Sequence, residues 1–122
     1  MAEPATTGTP PTPDAAAEVA QRATDVRADA VRHLTVLAGD ASMCAIGRSG
    51  RSFPAAKYHE GRQSAASQVR RVARAGQLSG LTAVLDEWQR TMTHAQAKGP
   101  DWVAYASGGA DALAEIGVMT ST

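Results

Sequence analysis

Seven basic side chains, Arg48, Arg51, Lys57, Arg62, Arg70, Arg71 and Arg74, fall within residues 47–76, where Glu60 is the sole acid. Guanidinium groups at this density are equipment for holding anions. Each offers five donors in a planar fork that matches phosphate or carboxylate oxygens, and none deprotonates at physiological pH. Arg48 and Arg51 stand in a Gly/Ser run, GRSGRS, whose backbone N–H groups can approach an anion closely. Arg70 and Arg74 are one helical turn apart, with Arg71 and Lys57 on the neighbouring flank, a spacing suited to the side of a phosphate backbone. The candidate nucleic-acid-binding residues are therefore Arg48, Arg51, Lys57, Arg70, Arg71 and Arg74. Arg62 is set apart: it falls at the edge of an apolar helical face, so its expected partner is an acid of the same chain, such as one on the first helix.

Twelve basic and twelve acidic residues leave no formal net charge, but the charge is segregated. Residues 1–40 carry −3, residues 41–76 carry +6 and residues 77–122 carry −3. Two partners fit the basic middle: duplex DNA, held by its backbone, or an acidic protein surface. A competing account neutralises the arginines internally, against the acids of the first helix and Asp86, Glu87, Asp111 and Glu115. The sequence pI of about 6.8 lies below the value above about 9 common in dedicated nucleic-acid binders. Within the basic stretch Tyr58 is expected to point to the core, leaving only Phe53 to stack on bases, so duplex is favoured over single strand.

Residues 46–53, IGRSGRSF, resemble the I-G-x-x-G-x-x-I core of a KH domain, a resemblance that implies single-stranded nucleic acid clamped at the loop. It covers eight residues, Pro54 sits badly in the helix that should follow, and the strands of that fold are missing. A P-loop fails on spacing. A helix-turn-helix around Gly76 would present Asp86 and Glu87 with Arg90 to the groove, which makes the helix before Gly76 the better reader. Catalytic and metal chemistry find little to work with. His33, His59 and His94 do not pair at i, i+4, and no Cys/His cluster has ligand spacing. His33 is expected to be a satisfied core residue and His59 an exposed one beside Glu60. Cys44, in SMCAIG, reads as a small buried side chain. No enzyme activity, cofactor or metal is expected.

Helices must position these residues. Alanine supplies about half of the apolar residues, with one Phe, two Trp and two Tyr, and no stretch alternates apolar with polar in the manner of a strand. Residues 1–13 form a Pro/Thr-rich tail that cannot offset the entropy of ordering. Asp14 caps a first helix over residues 14–37, its inward face made by Val19, Ala23, Val26, Ala30, His33, Leu34 and Leu37, and Gly39 stops it. Met43, Cys44 and Ile46 could plug the end of the core. A second helix spans 55–75, with Ala65, Val69, Val72 and Ala73 inward and His59, Gln63, Ser67, Arg70 and Arg74 opposite. Ser79 caps a third helix to about Lys98 that presents Leu81, Val84, Leu85, Trp88, Met92 and Ala95. Asp101 caps a fourth, with Trp102, Tyr105, Ala106, Gly109, Leu113 and Ile116 inward. Gly108 and Gly109, costing about 1 kcal/mol each against Ala, either let another helix close in or split the element.

The result is an all-α, four-helix bundle-like domain over residues 14–118, with residues 119–122 frayed. Small apolar side chains bury little area each, which argues for a homo-oligomer or a stabilising partner. The lone cysteine suits a reducing compartment, and no window approaches the roughly 20 apolar residues of a membrane span. A cytoplasmic accessory protein binding DNA backbone is the expectation, with a helical interaction or scaffold protein as the alternative.

Overall fold

Alanine and glycine line the inward faces of the helices, so packing here is set by how closely backbones approach rather than by large side chains. In the computed structural model, which describes residues 13–39 and 53–118, the chain forms α1 (Pro13–Gly39), α2 (Pro54–Arg74), a 3₁₀ turn (Leu78–Gly80), α3 (Leu81–Lys98) and α4 (Pro100–Ile116). No strand occurs among the described residues, and no helix there is long and apolar enough to cross a membrane. The all-α bundle expected from composition is what the chain adopts. Helix α2 is central, packed between α1 and α4, while α3 lies chiefly against α4.

Pro13 opens α1 from within the stretch expected to be tail, so Asp14 occupies the first turn rather than the cap. Pro54 opens α2, where its missing N–H costs nothing. Helix α2 ends at Gly76, whose φ of 71° allows a paired closure: Gly76 N–H donates to the Ala73 carbonyl at 2.9 Å and Gln77 N–H to the Val72 carbonyl at 3.1 Å. Ser79 does not cap α3. It lies inside the 3₁₀ turn, and α3 starts after Gly80 without a side-chain cap. Val118, the last residue of the expected domain, packs against the core.

The core comprises Ala23, Val26, Ala65, Ala66, Val69, Trp88, Ala112, Leu113 and Ile116. Its tightest point is the α2/α4 crossing. A Cβ placed on Gly61 would lie 2.0 Å from the Tyr105 carbonyl oxygen, and one on Gly108 would lie 1.9 Å from the Tyr58 carbonyl oxygen. The two backbones touch there, and α4 runs unbroken through Gly108 and Gly109. Gly109 makes room for a side chain instead of a backbone. A Cβ on it would sit 2.2 Å from the Trp88 ring, which fills the space the glycine leaves. Trp88 Nε1 donates to Gln68 Oε1 at 2.9 Å, so the buried indole leaves no donor unpaired.

Backbones in contact leave no slot for further large rings. Trp102, expected inward, is 43% exposed and stacks edge-on against Tyr105 with the Lys98 ammonium over it. Met92, also expected inward, is 40% exposed, because α3 has one main neighbour and its apolar stripe is wider than that contact. On α1, Ala16, Ala23, Val26 and Ala30 are buried. His33, expected in the core, lies one turn past the last buried residue and is half exposed. Met43, Cys44 and Ile46 lie outside the described residues.

Substituting Gly108→Ala should therefore destabilise the protein by about 3 kcal/mol or more, despite Ala's better helix propensity, because a backbone carbonyl cannot yield as a flexible side chain does. Gly39→Ala, where a Cβ meets nothing within 4 Å, should be neutral or mildly stabilising. Urea midpoints of the two variants against the parent check both.

Candidate nucleic-acid interface

Helix α2 has two charged flanks with different roles. On the inner one, Arg62 is 6% exposed and held from both sides. Its Nη1 meets Asp29 Oδ2 of α1 at 2.9 Å, while Nη2 and Nε meet the Glu115 carboxylate of α4 at 2.9 and 3.3 Å. The expected acid of the first helix is there, and α4 adds a second that the spacing did not point to. Burial opposes the Arg62 charge, but the two carboxylates outweigh it and hold its pKa above the usual value. In return the Arg62 hydrogen bond lowers the pKa of Asp29.

Both histidines of this region belong to the same flank. The rings of His33 and His59 stack with centroids 4.4 Å apart and planes 14° from parallel. His33 Nδ1 lies 2.8 Å from the Asp29 carbonyl oxygen, which can only accept, so the proton sits on Nδ1. His59 Nδ1 is 3.3 Å from Arg62 Nη1 and therefore accepts from it. His59, expected to be exposed beside Glu60, is instead partly buried in the α1/α2 seam. Burial, followed by the neighbouring His33 and Arg62, pushes its pKa down. Tyr58, expected in the core, is half buried and donates its hydroxyl to Asp111. Burial and that carboxylate raise its pKa to about 12.

The outer flank carries the sequence-predicted site. Lys57 Nζ pairs with Glu60 at 3.2 Å. Arg70 is half buried, its Nε donating to Thr24 Oγ1 of α1 at 3.0 Å. Arg71 and Arg74 are exposed, and their side chains have no hydrogen bond or ion pair among the described residues. Arg48 and Arg51 lie outside the described residues, as does most of the KH-like stretch. Thus α2 brings Lys57, Arg70, Arg71 and Arg74 to one face.

Sequence reasoning missed one member. Arg27 of α1 donates from Nε to Ser67 Oγ of α2 at 3.0 Å, which adds a cation from across the seam. Nothing in its local spacing singles it out, because its place depends on the register between two helices, with the paired residues 40 apart in sequence. Shallow grooves flank this face. One of about 460 Å³ is bordered by Gln21, Thr24, Ala73 and Arg74, and another of about 450 Å³ by Glu60, Gln63, Ser67 and Arg71. No group of three or more potential metal ligands occurs among the described residues. No protein-family model matches the chain, and comparison with curated proteins and with solved structures yields no match.

The inner flank sets a pH dependence. Because His59 titrates below 6.5 when folded, the unfolded chain binds its proton first as pH falls, and stability declines below about pH 6.5. Asp29, with its pKa below 3.8 when folded, adds a further loss as pH falls through 3.8 and below. Urea unfolding across about pH 3 to 8 should show both phases, and His59→Gln should remove the upper one while sparing the lower.

Proposed function

We propose that this chain is a non-enzymatic accessory protein that binds the backbone of duplex DNA through the outer face of α2. The observation that carries this reading is the imbalance on that face. Lys57, Arg70, Arg71 and Arg74, with Arg27 from α1, stand against Glu60, which Lys57 already engages. Most of the acids that could neutralise the arginines internally are engaged elsewhere. Asp29 and Glu115 hold Arg62, Glu18 pairs with Arg22, Glu87 with Arg90, and Asp111 takes the Tyr58 hydroxyl. Arg71 and Arg74 keep their donors for an external anion.

Contacts to phosphate position a protein on DNA without reading its sequence, so binding through this face is sequence-independent and driven by counterion release. Duplex DNA, with one charge per roughly 1.7 Å of axis, offers such a row a dense line of phosphates. Arg48 and Arg51 belong to the same positive third of the sequence. A cytoplasmic location accords with the single cysteine. A second reading, a helical interaction or oligomeric scaffold protein, is favoured by Met92, Trp102 and Val103 staying exposed on α3 and α4.

Titration into labelled duplexes of two unrelated sequences, between about 50 and 200 mM salt, tests the first reading. Equal affinity for both, falling linearly on a log–log salt plot, is expected, and Arg71→Ala/Arg74→Ala should reduce the slope by about two. Absence of binding at the lowest salt overturns the DNA reading. Sedimentation of the same sample, with Trp102→Glu alongside, then decides the second.

A further inference from the structure

Thr24 meets Arg70, Arg27 meets Ser67 and Asp29 meets Arg62, so α1 and α2 run antiparallel and their seam is crossed by reciprocal arginine–hydroxyl bonds. An arginine of α1 is clamped by a serine of α2, and an arginine of α2 by a threonine of α1, each at 3.0 Å and each through Nε. We propose that these two clamped guanidinium groups form a site for two consecutive phosphates of one chain, whether a DNA strand or a free polyphosphate. The inference rests on the DNA reading only for the source of the phosphates.

Clamping at Nε leaves Nη1 and Nη2 of both arginines at the open end of the fork, the pair that takes an oxyanion end-on. Neither guanidinium is spent on a carboxylate, since Asp25 accepts from Gln21 and Asp29 from Arg62 and Arg32. The hydroxyls are oriented for this. Thr24 Oγ1 donates to the Ala20 carbonyl at 2.9 Å, which turns its lone pairs toward Arg70. Ser67 Oγ accepts from Arg27 and has no acceptor for its own proton among the described residues, so it can donate to the anion that Arg27 holds. All four side chains are half buried, which strengthens charge interactions relative to a fully solvated arginine.

Spacing selects the ligand. Thr24 to Arg27 and Ser67 to Arg70 are each three residues, so the two forks are offset by about 4.5 Å along the helices. One DNA strand rises about 3.4 Å along the axis per nucleotide and its successive phosphates stand roughly twice as far apart along the winding backbone, whereas the major groove is about 12 Å wide. Flexible forks offset by one helical turn or less can reach neighbouring phosphates of one strand and are too close to bridge two strands.

The arginine Nε–Hε signals in ¹⁵N NMR, assigned through Arg27→Lys and Arg70→Lys, test the site. Tripolyphosphate should shift the Arg27 and Arg70 signals together at concentrations where orthophosphate shifts neither. Ser67→Ala, which alters no charge, should weaken tripolyphosphate and duplex DNA binding about three- to tenfold with Tm unchanged, and Ser67→Thr should restore it. Unaltered affinity in Ser67→Ala and Arg27→Lys overturns the site. DNA binding that shifts Arg71 and Arg74 alone also overturns it while the DNA reading stands. Tripolyphosphate shifts at Arg27 and Arg70 with no DNA binding support the site and remove DNA as its source.

Discussion

At the crossing of α2 and α4, Gly61 and Gly108 leave so little room that each backbone rests on a carbonyl of the other helix. Much of the architecture depends on that contact. Gly61, Gly108 and Gly109 inside helices cost roughly 3 kcal/mol in propensity against alanine, a cost offset only if the helices close to the distance that glycine permits. Closure brings small side chains such as Ala65, Ala66 and Ala112 into mutual contact, and a core poor in large residues becomes dense rather than empty. It also excludes rings, which is why Trp88 lodges over Gly109 while Trp102 stays outside.

The same closeness seats Arg62. With α1 and α4 drawn against opposite sides of α2, the guanidinium is buried between Asp29 and Glu115. A buried ion pair of this kind adds little net stability over a hydrophobic substitute, but leaving any member unpaired is strongly destabilising. It therefore acts on register. Asp29 must meet Arg62 for α1 to dock, and that alignment places Thr24 opposite Arg70 and Arg27 opposite Ser67.

Charge separation within α2 follows from this. Asp29 of α1 and Glu115 of α4 are drawn to the inner flank by one arginine, and the outer flank keeps an excess of cations, with the Arg71 and Arg74 side chains making no ion pair among the described residues. A chain with no net charge thus carries a locally cationic surface, and the basis of the proposed anion binding is how charge is divided around one helix rather than its total.

Composition and periodicity alone determined the all-α class, the four helices and their ends near Gly39, Gly76 and Gly99, because helix propensity and stop signals act over a few neighbouring residues. They also marked Arg62 as a residue needing an acid and put Arg70 and Arg74 on the polar face with Lys57 and Arg71 on its neighbouring flank, since both follow from the roughly 100° step of a single helix. The choice between close packing and a break at Gly108 and Gly109, the second acid on Arg62, the stacked histidines and the Arg27–Ser67 clamp were decided only by the tertiary structure. Each of these depends on the register between helices distant in sequence, and no local pattern encodes that register until the glycine contact and the Arg62 ion pairs set it.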